Sequence, residues 1–439
     1  MIFGQPFNTR QGGGITLSNL FKGWDKDRIA VAATGHVMKN ITTDVCETNY
    51  CLGSDEFRWH FPFNLLQRKF QSGLMLIDDS QQVATVIKKS RLRSVLVDRY
   101  FYPALEWFGL FHNGAEIRFS DNFRKWLEKF NPQILYLQVS TYDEIKFARV
   151  LIKTLEIPSI IHMMDDWPST ISTRGPFKKY WQRVIDSEFR ELLDEVDIFF
   201  SIGEAMTEEY RKRYSKEFIP FHNPIDVSHW QESRRKCYKI DQSDIRLLYS
   251  GRIGVGISES LIEVAEAVES LNQTGLKINL HIQSASSGID TLKKLMAYKC
   301  VKINPYIEYS ALPGVFSGAD ILLIANDFDP EGVLFLRYSM PTKASEYMIS
   351  ATPVLVYSHG DTAISRFFSR HNCGLCVTEH ANEKLIEAIK KLVTNEDLRK
   401  TLGTNAFELA SRLFDGERKR KEFRQLIRET TGNLTPYKS

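Results

Sequence analysis

Short apolar runs recur along this chain, separated by longer segments whose apolar residues return at helical spacing. In the first half, Ile29-Ala-Val-Ala-Ala33, Ser94-Val-Leu-Val97, Gln133-Ile-Leu-Tyr-Leu137, Ser159-Ile-Ile-His-Met163 and Asp197-Ile-Phe-Phe-Ser201 have the length and continuity of strands covered on both faces. Tyr142 to Leu155 carries helical periodicity between two of them, so those two are expected as parallel neighbours in a βαβ unit. A further helix is expected over Glu204 to Tyr214. A boundary is expected near Phe221-His-Asn-Pro-Ile-Asp226, followed by a polar linker from Gln231 to Asp244. Beyond it the alternation is regular. Strands are expected at Arg246–Ser250, Lys277–Gln283, Lys302–Tyr306, Asp320–Ala325, Pro353–Tyr357 and Gly374–Val377, with helices at Ser258–Asn272, Asp290–Ala297 and Asp361–His371. The tail from Asn382 to Glu429 is almost entirely helical, broken around Phe414-Asp-Gly416. The pattern predicts an α/β chain of two doubly wound, Rossmann-like domains, 1–225 and 226–414, facing a cleft, with the helix 415–439 returning to the first.

Composition narrows this little. The 439 residues allow two or three domains, and 43% hydrophobic with 25% charged residues is ordinary for a globular enzyme. A net charge of +3 gives no case for nucleic acid. Met1-Ile-Phe-Gly-Gln-Pro-Phe7 lacks the basic start and apolar core of a signal peptide, and no run is long enough to cross a bilayer. Six cysteines fit a reducing cytosol. Cys373-Gly-Leu-Cys376 has metal-knuckle spacing but no second half, and is expected in a strand; Cys46 and Cys51 are expected in a loop.

The chemistry is concentrated in Ser339-Met-Pro-Thr-Lys-Ala-Ser-Glu-Tyr347, followed by the strand-like Pro353-Val-Leu-Val-Tyr357. Pro341 suits the first turn of a helix, and Thr342 places a hydroxyl near that start. Lys343 and Glu346 are three apart and share a face. Free N–H groups beside a lysine favour a diphosphate, and a carboxylate one turn on can hold ribose hydroxyls. An ordinary surface Lys–Glu pair is the competing explanation.

Together with Tyr249-Ser-Gly-Arg-Ile253 and Ile161-His-Met-Met-Asp-Asp-Trp-Pro168, this stretch resembles the retaining glycosyltransferases of family 4, which have the GT-B fold. The resemblance spans most of the chain and is strongest from about Leu247 to Val377. It implies that Gly251 and Arg252 meet the donor diphosphate with Lys343, while Ser339, Thr342 and Glu346 complete the donor contacts. It also implies a nucleotide-diphosphate-sugar donor as substrate and neither a metal nor another cofactor. Departures are visible. Ile257 stands where the family usually has a lysine, and Tyr338 where it has the first of two glutamates. Glu331, in Pro330-Glu-Gly332, is expected to replace the lost sugar contact. A catalytic-type histidine would fall on Met164; His162, two residues earlier, could point the same way on an extended strand.

In a retaining transfer without a protein nucleophile, charge grows on the departing diphosphate, and positioned cations there lower the barrier. Arg252 and Lys343 are the candidates, and Asp165 is assigned to hydroxyl recognition beside Asp166. Helix capping by one of the two aspartates competes with that assignment, as a buried strand histidine does for His162. Gly12-Gly13-Gly14, between the first strand and a helix, would let a donor phosphate or sugar approach the backbone; a plain surface turn is the alternative. It is not a dinucleotide fingerprint, because the later glycine and the acidic residue at a strand end are absent.

The basic run Lys88-Lys-Ser-Arg-Leu-Arg93 precedes the aromatic stretch Tyr100 to Phe111, and Gly416-Glu-Arg-Lys-Arg-Lys421 is also basic. Such runs suit contact with an anionic leaflet, or simply solvated helices. The expectation is a cytoplasmic glycosyltransferase, at the inner face of the membrane if that contact exists, acting on a glycan or lipid-linked acceptor in surface polysaccharide synthesis. A sugar-nucleotide-binding protein without activity and a nucleotide-sugar 2-epimerase are the rivals.

Overall fold

The computed structural model describes residues 1–8, 12–61, 63–65, 67–75, 100–172, 174–284, 289–305 and 307–432. The strand expected at Ser94–Val97 and the basic run Lys88–Arg93 lie outside them. Two compact units are present: Met1–Phe221 joined by the chain from Arg420 onward, and His222–Lys419.

The described strands of the first unit are β1 (Ile2–Phe3), β2 (Ala30–Thr34), β3 (Thr48–Leu52), β4 (Phe57–Trp59), β5 (Gly73–Leu74), β6 (Ala115–Ile117), β7 (Leu135–Leu137), β8 (Ser159–Met163), β9 (Ile198–Ser201) and β10 (Phe218–Pro220). Eight form one sheet in the order β10-β9-β8-β7-β1-β2-β3-β5, parallel throughout except for β3 with β5. The remaining two, β4 and β6, pair as an antiparallel ribbon. β1 lies between β7 and β2, so the order turns there, and the helix Gly12–Phe21 starts just beyond its carboxyl end.

Local sequence explains the crossovers. The helix Tyr142–Leu155 is opened by Thr141, whose hydroxyl accepts from the Glu144 N–H, while the Glu144 carboxylate takes the Ser140 N–H at 2.8 Å. This reciprocal cap forms from Thr and Glu three apart. Its end is turned by Glu156 in the left-handed region. The core holds Phe7, Leu17, Val31, Tyr136, Ile160 and Phe200, and the tail helix Gly416–Gly432 adds Phe423 and Ile427 to it. The Phe423 ring lies 5.1 Å from Phe21 and 5.4 Å from Phe221.

One expectation is corrected here. Cys46 lies in the connection before β3, as expected, but Cys51 lies inside β3; both are buried. Thr48-Asn-Tyr-Cys-Leu52 reads as mixed in sequence, but Tyr50 packs against Phe123 and Trp126, and Asn49 is fully covered.

The second unit contains β11 (Ile245–Ser250), β12 (Ile278–Gln283), β13 (Val301–Asn304), β14 (Ile321–Ala325), β15 (Val354–Tyr357) and β16 (Leu375–Val377). They make a fully parallel sheet, β13-β12-β11-β14-β15-β16. The order reverses between β11 and β14, which places a ligand crevice beyond their carboxyl ends. Of the three strands nearest that point, β14 and β15 are wholly buried apolar runs, as a sheet covered on both faces requires. None of the described helices is long and apolar enough to cross a membrane.

Candidate functional site

The carboxyl end of β11 carries Gly251-Arg252 and leads into the helix Ser258–Gln273. The helix Thr342–Ile349 is tied to this strand end by Tyr347, whose hydroxyl accepts from the Ser250 N–H at 2.7 Å. That helix begins one residue later than expected: Pro341 is its cap, in an extended conformation, and Thr342 is its first residue.

Lys343 projects toward Gly251. A Cβ built there would stand 3.0 Å from Lys343 Nζ and 3.2 Å from Tyr249 Oη, so a larger residue would press the ammonium and the phenol back by a few tenths of an ångström. The ammonium also sits over the Tyr249 ring, 3.9 Å from its centre. Tyr249 in turn donates to the Arg252 carbonyl at 2.5 Å. Arg252 is exposed, its guanidinium 5.3 Å above the Phe335 ring and donating to the Val255 carbonyl at 2.9 Å. Burial and then the Arg252 charge bring the Lys343 pKa down to about 7. Two basic groups from separate segments are therefore brought to one strand end, near enough for the Arg252 charge to act on Lys343. Such a pair favours an anion.

Glu346, one turn further along, is 7% exposed, and burial lifts its pKa to about 8. The same helix thus presents a half-buried lysine and a covered glutamate. Across from Glu346 lies Tyr309, whose phenol is pushed up by burial and then by the Glu346 charge. Tyr309 stacks on His229 at 6.2 Å. The sequence offered no signal for Tyr309, which lies in the connection after β13.

The other expected donor residues occupy the neighbouring connection. Asp329 caps the helix Pro330–Leu336, accepting from the Glu331 and Gly332 N–H groups at 3.0 Å, and this leaves Glu331 exposed on its first turn. Ser339 is buried, its hydroxyl bonded to the Phe335 carbonyl at 3.4 Å, and Thr342 is half-buried at the start of the Lys343 helix. Asp327 accepts from the Ser260 N–H at 2.8 Å and so secures the start of the helix that follows Arg252. The two departures are built inward: Ile257 belongs to the second unit's core, and Tyr338 is 8% exposed.

In the first unit, Gly12, Gly13 and Gly14 open the helix after β1. Gly14 is required by space, because a Cβ would collide with the Asn8 side chain, whereas Gly13 has room. Asp165 is exposed just beyond β8. Two expectations are corrected in this unit. Asp166 is 1% exposed and is held within the protein by Tyr210 at 2.8 Å and by Arg213 at 2.8 and 3.1 Å. It braces the end of β8 and has no free face for a sugar. His162 is 1% exposed, bonded through Nδ1 to Tyr136 Oη at 2.5 Å and edge-on to Phe200, with its pKa lowered to about 3 by burial. Alternation sends it into the buried layer against the sheet.

Residues 231–409 match the model of the family described as glycosyl transferases group 1. No curated protein matches the chain in sequence. Solved structures resemble it in fold. Sucrose-phosphate synthase from Thermosynechococcus elongatus aligns with a TM-score of 0.61 at 13% identity, covering 99% of both chains. Anabaena HepE, in complex with UDP and glucose, gives 0.60 at 11% identity over 98% of this chain and 99% of that one. A glycosyltransferase from Rickettsia africae gives 0.58 at 10% identity over 99% of both. The chain has the GT-B fold.

Proposed function

We propose that the chain is a glycosyltransferase that moves a sugar from a nucleotide-diphosphate donor, with retention, to a glycan or lipid-linked oligosaccharide in surface polysaccharide synthesis. The observation that carries the donor half of this reading is the approach of Lys343 to Gly251 at the carboxyl end of β11, within reach of the Arg252 charge. The family match covers that same part of the chain. UDP-sugars are the first donors to test, because the Anabaena structure of like fold holds UDP and glucose.

In the proposed reaction the two cations hold the diphosphate. Arg252 supplies a forked pair of donors and Lys343 a point charge on a stem packed against Tyr249. As the bond from the anomeric carbon to the diphosphate breaks, negative charge grows on the leaving oxygens, where both side chains act without a metal ion. Glu346 accepts from the ribose hydroxyls once it has lost its proton. On the first unit, Gly12 to Gly14 offer their backbone to a phosphate or sugar, and Asp165 binds a hydroxyl. Glu331, Ser339 and Thr342 line the sugar end.

Lys343→Ala should lower transfer by roughly 10²–10³ and leave the melting curve in the absence of nucleotide close to wild type. Near-normal turnover in that variant would remove Lys343 from the mechanism. A second reading is favoured by Ile257 and Tyr338, which are packed inward where the family has a lysine and a glutamate. On that reading the chain binds the sugar nucleotide without transferring it. A thermal shift with UDP-sugars but neither hydrolysis nor transfer to any glycan acceptor would decide for it.

A further inference from the structure

The first unit exposes large apolar side chains from two segments that are seated on each other. Trp107 is 54% exposed and Phe108 48%, at the end of the short helix Tyr102–Trp107; Phe177 is 52% exposed and Tyr180 59%, at the start of the helix Lys178–Glu195. The segments meet closely, since a Cβ on Gly175 would strike the Trp107 carbonyl and one on Gly109 the Trp181 indole. Trp181 itself is buried beneath, against His112 and Tyr142. The exposed rings therefore stand on a packed base.

Charge on these segments is one-sided. Residues 174–183 carry Arg174, Lys178, Lys179 and Arg183 with no carboxylate, and residues 100–113 contribute only Glu106. All four cations are exposed. No ion pair holds Lys178, Lys179 or Arg183 among the described residues. Protein interfaces favour aromatic residues and arginine but are poor in lysine. Aromatic rings beside mobile ammonium groups suit a bilayer surface, where rings settle at headgroup depth and lysines reach phosphates.

The geometry points to this surface as the place where the protein docks on an anionic lipid leaflet, with Trp107, Phe108, Phe177 and Tyr180 entering the headgroup layer and Lys178 and Lys179 pairing with lipid phosphates. The surface uses none of the residues assigned to the donor, so it stands or falls apart from the transferase reading.

Flotation with phosphatidylcholine vesicles, alone or with phosphatidylglycerol in equal parts, tests it. The full chain should float with the anionic vesicles, less so at high salt, and remain at the bottom with phosphatidylcholine alone. Trp107→Ser with Phe108→Ser, and separately Lys178→Glu with Lys179→Glu, should each weaken binding ~10-fold or more. Each double variant should keep the wild-type melting temperature and UDP-sugar shift, which separates lost docking from lost folding. Absence of flotation, equal flotation on phosphatidylcholine alone, or flotation untouched by both variants would overturn the proposal. So would a lipid-free dimer dispersed by the aromatic variant, which would assign the surface to a second copy. If the wild type floats as expected but no nucleotide shifts its melting, the transferase reading fails and the docking surface survives.

Discussion

Lys343 and Glu346 occupy one helix face, and burial has moved both toward neutrality, to about 7 and about 8. Their pH signatures run in opposite directions. Glu346 binds its proton more tightly folded than unfolded, so its contribution to stability is full below about 4.5 and is lost as pH rises to about 8. Lys343 binds its proton less tightly folded, so stability recovers from about 7 toward 10.5. Glu346→Gln should therefore flatten the fall of melting temperature between pH about 4.5 and about 8 and make the empty protein more stable than wild type at alkaline pH. A variant that follows the wild-type curve would place Glu346 in contact with water or a cation. Diphosphate binding should take up a proton at Lys343, so UDP affinity, measured by calorimetry in buffers of different ionisation heat, should decline as pH climbs through about 7. The spacing of Lys343 and Glu346 was enough to put them on one face. Their burial, and the Tyr249 ring beneath the lysine, came from strands more than ninety positions away, which no local pattern reports.

Among elements, the informative case is the end of β8. Asp165 and Asp166 are adjacent and chemically alike, and the sequence could not separate them. Strand alternation and the helix Glu204–Tyr214 do so: Asp165 faces outward, and Asp166 receives Arg213 from that helix together with Tyr210. Removing one partner of a covered ion pair leaves the other charge stranded. Arg213→Ala should cost about 3 kcal/mol and lower Tm by roughly 10 °C; Asp165→Asn should leave Tm within a degree or so and act on transfer alone. Equal melting of Arg213→Ala and wild type would contradict the bracing role of Asp166. His162 illustrates the same limit. A histidine on an apolar strand is compatible with a ligand or with a core, and the Tyr136 and Phe200 rings on neighbouring strands settle which.

At the scale of the molecule, the tail crosses from one unit to the core of the other. Phe423 is fully covered among Phe21, Tyr136, Phe200 and Phe221. Phe423→Ala should destabilise the first unit by about 3–5 kcal/mol, seen in chemical denaturation as an earlier transition, while the transition shifted by UDP stays where it is. Simultaneous loss of both transitions would mean that the units unfold as one.

What the sequence determined by itself was the α/β alternation, nearly all of the second sheet, and the shared face of Lys343 and Glu346, whereas their grouping with Gly251-Arg252 rested on the family resemblance. Those follow from local rules: apolar continuity marks covered strands, and helical spacing marks faces. β3, with its mixed Thr48-Asn-Tyr-Cys-Leu52, escaped those rules because its polar Asn49 is buried in the folded sheet, where its amide donates to the Cys46 carbonyl. Tertiary structure alone decided which of these groups are covered and which stay exposed. It turned His162 inward, gave Asp166 to Arg213, set Tyr309 near Glu346 and left Asp165 in the open. Such choices depend on what a neighbouring element presents across a few ångströms, and distance along the chain carries no record of that.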